Sequence, residues 1–170
     1  MATLLVLRHA EAAPSPGGPD HERPLTERGR RDAQAVGAWL AAHGLAPGLA
    51  LVSDALRTRE TVALAGAALP DPPRVMADPT LYGADENAIL AALQDAPEDE
   101  PRVLLCGHNP GLGDFTGALA GGGEPDALNR LRAGFPPAAL AVVELDGAWR
   151  DVGWRAGRLV RFVTPASLGA

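Results

Sequence analysis

Three short apolar runs that alternate with helical patterns place the strongest constraint on how this chain can fold. The runs lie at residues 3–7, 49–52 and 102–106, and each has the length and branched-residue content of a buried strand. Between them, apolar residues recur at helical spacing. This alternation is typical of an α/β protein, in which helices cover both faces of a mostly parallel sheet. We therefore predict a single three-layer α/β/α domain over residues 1–170.

Caps and chain breakers set the expected boundaries of the other elements. Thr26 is a predicted helix N-cap, and Gly44 is a predicted stop for the same helix. The remaining predicted elements are helices at 56–68, 86–95 and 112–120 and strands at 74–77, 138–145 and 157–163. Residues 12–24 and 121–137 are rich in glycine and proline, so we expect loops there, the second being a mobile insertion.

Composition excludes several classes of function. All 15 basic residues are arginine, so a catalytic lysine, a Schiff base and a Walker-type P-loop are ruled out. The single cysteine, Cys106, rules out an internal disulfide and a cysteine-rich zinc site, and we expect it to be buried and inert. The net charge of −6 argues against nucleic-acid binding, which needs a clustered positive surface.

Membrane and secretion signals are also lacking in the sequence. No apolar run reaches the about 18 residues of a membrane-spanning helix. The first residues, MATLLVLRHAEA, lack the basic start of a signal peptide. We expect a cytoplasmic protein with no membrane partner.

Polar residues follow each of the three apolar runs. They are Arg8 and His9 after the first, Ser53, Asp54 and Arg57 after the second, and His108 and Asn109 after the third. Ligands of open α/β sheets bind at the carboxyl ends of the parallel strands, where these residues should meet. Two arginines and two histidines together suit a dianionic group, because arginine neutralises phosphoryl oxygens and neutral imidazole accepts a phosphoryl group. The other two histidines, His21 and His43, are expected to be solvated surface groups.

A metal site is the main chemical alternative at this edge. His9 and Glu11 match the start of the zinc deaminase pattern, but that pattern also requires two closely spaced cysteines. A site made by the histidines with Asp54 or Asp114 is disfavoured, since the neighbouring arginines would repel a cation. We expect no metal and no other cofactor.

Four segments resemble motifs of the histidine phosphatase superfamily, which is also called phosphoglycerate-mutase-like. LLVLRHAEA at 4–12, SDALRTRET at 53–61 and LLCGHNPGL at 104–112 are similar to its three signature motifs. DHERPLTERG at 20–29 is similar to the loop and helix start of the SixA-type phosphohistidine phosphatases within it. All four occur in family order, and the resemblance implies a phosphoglycerate-mutase-like fold.

The resemblance also implies roles for the matching residues. His9 would be the nucleophile, and Arg8, Arg57 and His108 would bind the phosphoryl oxygens and complete the catalytic group. Arg23 would extend the anion site towards the substrate. One departure is Ala10, which stands where the family usually has glycine, and it is tolerable if the turn does not demand a positive φ.

A second departure concerns the general acid, a glutamate in many members of the superfamily. The stretch DPTLYGADENAI offers Asp78, Asp85 and Glu86, of which Glu86 and Asp85 are the candidate acids. None of the three is surrounded by residues that match the family's motif for the general acid. A site without a dedicated acid suits P–N bonds, because a protonated phosphoramidate nitrogen leaves more readily than an alkoxide.

These observations predict a metal-independent phosphatase that hydrolyses phosphohistidine on a protein through a phosphohistidine intermediate at His9. The expected partner is a phosphohistidine-bearing phosphotransfer domain. One alternative is a phosphomonoesterase that acts on a small phosphorylated metabolite. Another is a catalytically silent phosphate-binding module.

Overall fold

The computed structural model describes residues 1–15 and 17–169. Its strands and α-helices, in chain order, are β1 (Ala2–Arg8), α1 (Glu27–Ala42), β2 (Leu49–Ser53), α2 (Leu56–Ala67), β3 (Arg74–Asp78), α3 (Glu86–Gln94), β4 (Arg102–Gly107), α4 (Gly111–Leu119), β5 (Ala120–Gly123), α5 (Pro125–Ala133), β6 (Leu140–Leu145) and β7 (Gly157–Val163). Short 3-10 helices span Asp20–Glu22, Pro79–Leu81 and Trp149–Asp151. Pro16, inside the predicted loop 12–24, lies outside the described residues.

The strands form one seven-stranded sheet in the order β3-β2-β4-β1-β6-β7-β5. The first four in that order run parallel to one another, as do β5 and β7, whereas β6 is antiparallel to both of its neighbours. The carboxyl ends of β1, β2 and β4 therefore meet at one edge, with the amino end of β6 beside them. The prediction of a mostly parallel sheet is confirmed.

Helices cover both faces of the sheet because its central strands are apolar on both sides. In β1, Leu4 and Val6 pack among the residues of α3, α4 and α5, whereas Leu5 and Leu7 pack among those of α1 and α2. All four side chains are fully buried, and each contributes roughly 2 kcal/mol relative to an exposed position. This packing explains why β1 is a continuous apolar run rather than an alternating one.

The start of α1 is defined by a cap and by a close approach to the segment that follows β1. The Thr26 hydroxyl accepts a hydrogen bond from the Gly29 amide at 3.0 Å, which confirms Thr26 as the N-cap. A Cβ on Gly29 would lie 2.1 Å from the Glu11 carbonyl oxygen, so only glycine permits this approach. The start of α1 is thereby packed against the turn that follows His9.

The loop prediction for 121–137 is wrong over most of its length. Residues 120–123 form the edge strand β5, and α5 follows with Pro125 in its first turn, where the missing amide costs no helix bond. A Cβ on Gly121 or Gly123 would lie 2.0 or 2.2 Å from a backbone oxygen of the neighbouring segment, so the glycines permit close pairing. The other predicted helices and strands are confirmed to within two residues at either end.

No helix within residues 1–15 and 17–169 is long and apolar enough to cross a membrane.

Candidate active site

The two histidines that follow β1 and β4 lie side by side at the carboxyl edge of the sheet. Arg8 is in register with Gly107, so His9 and His108 leave the sheet at the same level. The His9 amide donates to the Gly107 carbonyl oxygen at 3.2 Å, and the centroids of the two imidazole rings are 5.3 Å apart. The structure thus brings together the two histidines that the sequence placed at strand ends.

The ring of His9 is oriented by its own turn. Its Nδ1 lies 2.7 Å from the Ala10 carbonyl oxygen, which can only accept, so the proton sits on Nδ1 and the Nε2 lone pair is free. The Ala10 amide donates to the Thr61 hydroxyl at 3.0 Å, which ties the turn to α2. Among the described residues only Ala138 and Arg155 combine a side chain with a positive φ, so the turn at Ala10 accommodates alanine without strain.

Both imidazoles are neutral at physiological pH. The pKa of His9, which is 9% exposed, is lowered to about 4, chiefly because burial penalises the charged ring and also because arginine cations lie nearby. The pKa of His108 is lowered to about 4 by burial and by the charge of Arg57. A neutral His9 with a free Nε2 lone pair is a competent nucleophile.

His108 is anchored from β2. Its Nε2 lies 2.7 Å from the hydroxyl of Ser53, which is itself fully buried at the end of that strand. The phenol ring of Tyr82 packs edge-on against the imidazole, with centroids 5.5 Å apart. The ring is therefore positioned by β4, which directly precedes His108, by Ser53 at the end of β2 and by Tyr82.

Arg57 enters the site from the first turn of α2. Its side chain is only 7% exposed, and its guanidinium donates to the Asp20 backbone oxygen at 2.8 Å and to the Asp20 carboxylate at 3.1 Å. The N-cap of α2 is Ala55, whose side chain cannot satisfy the first helix amides. The positive end of the helix dipole therefore adds to the charge of Arg57 at this edge.

Arg8 is held by the segment that precedes β6. Its guanidinium and the Asn109 side-chain amide both donate to the Phe135 carbonyl oxygen, at 2.9 and 2.8 Å. Further along this segment, the Ala138 amide donates to the carbonyl oxygens of Arg8 and His9 while its backbone has a φ of 61°. That conformation costs about 1 kcal/mol for a residue with a Cβ, so the fold spends stability on fixing this turn.

Buried polar atoms without a hydrogen-bond partner concentrate at this edge. Across the described residues there are four such side-chain atoms, and three of them belong to Arg8 (Nε), Arg57 (Nε) and His108 (Nδ1). The two arginine atoms are N–H donors, whereas the role of His108 Nδ1 depends on the tautomer of the ring. The cationic heads of Arg8 and Arg57 make this edge chemically suited to an anionic ligand.

Asp20 and Tyr82 form a rim that the sequence reasoning missed. The Asp20 carboxylate contacts Arg57, Arg23 at 3.0 Å and the Tyr82 hydroxyl at 2.5 Å. These hydrogen bonds, that of Tyr82 first, hold the pKa of Asp20 well below its usual range. The sequence did indicate the contact between Asp20 and Arg23. The two residues are three apart, a spacing that suits an ion pair within a helical turn.

Arg23 lies at the outer side of this rim. Its Nε donates to the Ala13 carbonyl oxygen at 3.0 Å, which leaves the head of the guanidinium directed to Asp20. His21, expected to be a solvated surface group, instead pairs with Asp54 at 2.7 Å and packs edge-on against Tyr82. The side chain of His21 keeps a partly exposed position, as expected, but these two contacts were not predicted; they form because the loop before α1 folds back over the end of β2.

The candidate acids lie at helix starts. Asp85 is the N-cap of α3 and accepts from the Ala88 amide at 2.9 Å, and Glu86 follows in the first turn. Both border a cleft of about 170 Å³ that is also lined by His108. Asp78 instead caps the 3-10 helix at Pro79–Leu81, where its carboxylate is engaged by Thr80.

Metal-ligating groups do not converge in the part of the chain that the structure describes. There, no three histidine, cysteine, aspartate or glutamate side chains lie close enough together to hold a metal ion. Cys106 is fully buried, and burial raises the pKa of its thiol well above the ordinary value.

Known proteins share both the sequence pattern and the fold. The pattern of the histidine phosphatase superfamily (branch 1) matches residues 4–81. An uncharacterised protein of Mycobacterium tuberculosis strain H37Rv is 34% identical over 161 residues, which is 94% of this chain and 99% of that protein.

Two solved structures extend this similarity to three dimensions. A candidate phosphohistidine phosphatase SixA from Nakamurella multipartitia superposes with a TM-score of 0.84 at 33% identity, over 96% of each chain. The protein histidine phosphatase SixA complexed with tungstate superposes with a TM-score of 0.80 at 27% identity, over 98% of this chain and 99% of that chain. Because relatives that are 33% and 34% identical span nearly the whole chain, this protein belongs to the histidine phosphatase superfamily.

Proposed function

We propose that this histidine phosphatase hydrolyses phosphohistidine on a protein, through an intermediate in which His9 is phosphorylated. The observation that carries the proposal is the hydrogen bond from His9 Nδ1 to the Ala10 carbonyl oxygen. It leaves the Nε2 lone pair free next to Arg8, Arg57 and His108. A nucleophile and three phosphoryl-binding groups in one place constitute a phosphoryl-transfer site.

The first step forms a bond from His9 Nε2 to phosphorus as the P–N bond of the substrate breaks. The substrate reacts in the form whose other ring nitrogen is protonated, so the electron pair of the broken bond returns to the substrate ring and the ring leaves as neutral imidazole. The phosphorylated His9 ring is cationic, and its Nδ1 proton remains hydrogen-bonded to the Ala10 carbonyl oxygen, which stabilises the new charge.

The second step is hydrolysis of the phosphorylated enzyme. Water attacks phosphorus, the Nε2–P bond breaks, and its electron pair restores the lone pair of His9. The water gives up one proton to phosphate or solvent, and inorganic phosphate leaves. In both steps Arg8, Arg57 and His108 stabilise charge on the equatorial oxygens, which supplies most of the catalysis in phosphoryl transfer and requires no metal ion.

The carboxylate at the rim supports a P–N substrate. Asp20 contacts Arg57, but the depressed pKa of its carboxyl keeps it ionised at neutral pH, so it is a poor proton donor. An alkoxide leaving group needs a donor, whereas a neutral imidazole does not. Similarity to SixA proteins, one of them solved with the oxyanion tungstate, agrees with this substrate.

The proposal is tested by phosphate release in EDTA from a phosphotransfer domain phosphorylated on histidine, beside a panel of phosphomonoesters. We expect release from the phosphohistidine protein that survives EDTA and disappears in His9→Ala. Activity that EDTA abolishes would contradict the metal-independent mechanism. Turnover of monoesters alone would contradict the substrate assignment and leave the nucleophile in place.

One observation favours a second candidate, a phosphomonoesterase that acts on a small metabolite. Asp85 and Glu86 border the cleft next to His108, from which a carboxylic acid could protonate an ester oxygen. In that case Glu86→Gln would abolish ester turnover while labelling of His9 by phosphoramidate persisted. Under the main proposal, Glu86→Gln leaves release from phosphohistidine unchanged.

A further inference from the structure

Two clefts lie beside α5, on the face of the sheet that α4 and α5 cover. The first has a volume of about 570 Å³ and is bordered by Arg8, and the second has a volume of about 520 Å³ and lies between α4 and α5. Both are lined by Asn109, Gly134 and Phe135, so they form one groove, which we call the α5 groove. It starts at the candidate active site and leads away from it.

The junction between the two clefts is held in place by packing and by hydrogen bonds. The ring of Phe135 is buried and packs edge-on against Phe162, with ring centroids 5.1 Å apart. The Phe135 carbonyl oxygen accepts hydrogen bonds from Arg8 and Asn109. The groove is therefore preformed, and a molecule that occupies it lies next to a phosphoryl-binding residue of the candidate active site.

The charge of the α5 groove is opposite to that of the chain as a whole. The chain has 21 acidic and 15 basic residues. Among the described residues that line the groove, Asp114 is the one carboxylate, and the cationic side chains are those of Arg8, Arg130, Arg132 and Arg155. The groove is thus a local positive surface on an acidic protein, and such a surface attracts an anionic partner.

Two of these arginines have no anionic partner among the described residues. Arg130 pairs with Asp126 at 3.0 Å, one turn earlier in α5. Arg132 and Arg155 are exposed, and neither makes an ion pair with any residue that the structure describes. Arg132 donates to the neutral side chain of Asn129 at 3.3 Å. Both guanidinium groups are therefore available to a carboxylate, which matches their planar fork.

Arg155 occupies its position with a strained backbone. Its φ is 62°, in the left-handed region where glycine is favoured. Packing imposes this conformation, because the Arg155 amide donates to the Ala118 carbonyl oxygen at 2.9 Å and the Arg155 carbonyl oxygen lies 2.0 Å from where a Cβ on Gly121 would be. Strain at a residue whose side chain is exposed adds nothing to the core and is typical of a functional surface.

We propose that the α5 groove binds an acidic segment that flanks phosphohistidine in the phosphorylated protein, and that Arg132 and Arg155 pair with carboxylates of that segment. The inference rests on the proposed function, because it describes the chemistry of the partner at the same site. The phosphoryl group lies against Arg8 and His9. The flanking segment passes Phe135 and enters the second cleft, where the two arginines bind it.

A small metabolite does not account for the whole groove. Ligand pockets have volumes of about 300–1,000 Å³, so the first cleft alone holds a metabolite whose phosphate lies at Arg8. Arg132 and Arg155 line the second cleft, beyond Phe135. A ligand that contacts both ends of the groove extends past Phe135, as a polypeptide segment does. Arginine clusters are a common means of binding acidic motifs in polypeptides.

The test compares phosphate release from two phosphohistidine peptides, in which either glutamate or glutamine flanks the phosphohistidine on both sides. The wild-type chain should have a KM about fivefold to tenfold lower for the glutamate peptide and a similar kcat for both, and the preference should weaken as the salt concentration rises. The double variant Arg132→Glu with Arg155→Glu should lose the preference and favour a third peptide, in which lysine flanks the phosphohistidine. The double variant Arg31→Glu with Arg74→Glu is the matched control. It reverses two exposed arginines away from the groove and should keep the preference.

A second variant separates binding from folding. Arg155→Gly removes the strain at the positive φ, so it should resist heat at least as well as the wild type, while its KM for the glutamate peptide should rise about threefold. Its hydrolysis of phosphoramidate, which has no flanking segment, should stay unchanged. Loss of phosphoramidate hydrolysis would mean that Arg155 supports the catalytic group, and it would overturn the assignment of a docking role.

The outcomes distinguish the groove from the activity. Hydrolysis of none of the peptides would contradict the proposed function, and the groove assignment with it. Equal KM values of the wild type for the glutamate and glutamine peptides would overturn the groove assignment alone. A KM for a small phosphomonoester that rises in Arg132→Glu with Arg155→Glu, without a change for the peptides, would assign the groove to a metabolite instead.

Discussion

We call Arg8, His9, Arg57 and His108 the floor of the candidate active site, and Asp20, Arg23 and Tyr82 its rim. The two parts are built in different ways. In the floor, His9 is buried and His108 is half-buried, and both are tied to strand ends by backbone oxygens or by the Ser53 hydroxyl. In the rim, Arg23 and Tyr82 converge on the carboxylate of Asp20, which is 51% exposed. The sheet therefore determines where the histidines stand, whereas one exposed side chain organises the rim.

Arg57 belongs to both parts of the site. Its guanidinium is buried like the floor, but its ion-pair partner Asp20 is exposed like the rim. An exposed partner adds little to stability, since solvent screens the pair and competes for it. A phosphoryl group can therefore take over the bonds to Arg57 at small cost, while the floor stays as it is.

The largest expected effect comes from removing His9, the proposed nucleophile, from the floor. His9→Ala should lower kcat for phosphohistidine by about 10³-fold or more, because the rim alone provides binding but no covalent step. The variant should also take up no label from radioactive phosphoramidate, as measured on denaturing gels of samples quenched in alkali, where phosphohistidine is stable. His43→Ala is the matched control, since this exposed histidine ends α1. Retained labelling in His9→Ala would place the nucleophile elsewhere.

The next effect separates the buried arginine from the exposed one. Arg57→Ala should lower kcat/KM by about 10²- to 10³-fold, because a buried donor to the equatorial oxygens acts in a site of low dielectric. Arg23→Ala should lower it by about tenfold, since Arg23 lies on the exposed side of Asp20. Steady-state phosphate release measures both. Equal losses would remove the distinction between floor and rim.

Sequence reasoning located the floor residues because each one directly follows an apolar strand or begins the next helix. Arg8, His9 and His108 could be read from strand ends alone, and Arg57 from the start of α2. Their roles came from the resemblance to known motifs and from chemistry. Ser53 was placed at this edge by its strand, but nothing in the sequence indicated that it would contact His108. Thr61, which accepts from the Ala10 amide, is a small hydroxyl residue with no distinguishing pattern.

The rim could not be assembled from the sequence, because its contacts join loops that are far apart along the chain. The bond between Tyr82 and Asp20 spans 62 residues, and neither residue belongs to a periodic segment. Strand β5 was missed for a local reason. Its glycines are typical of loops, and only the backbone of the neighbouring segment shows that they permit pairing.

The pH dependence of the free energy of unfolding reports how strongly burial disfavours the charged form of His9 in the floor. The pKa of His9 is lowered from 6.5 to about 4, so between these values the unfolded chain binds a proton that the folded chain does not. Stability should be complete above pH 6.5 and should fall as the pH drops towards 4, by at most about 3 kcal/mol for this residue. Urea unfolding at a series of pH values measures this loss of stability. His9→Gln should flatten the slope, and the exposed His43→Gln should not.

The smallest expected effect lies in the rim. Asp20→Asn removes the negative charge that Arg57 and Arg23 share, so inorganic phosphate should bind a few-fold more tightly, as measured by calorimetry. Asp54→Asn, which alters the pair with His21 at the same edge, is the control and should leave phosphate affinity nearly unchanged. Weaker binding in Asp20→Asn would mean that the carboxylate positions the arginines more than it competes with the anion. The rim would then be as fixed as the floor, and the difference between them would be one of exposure alone.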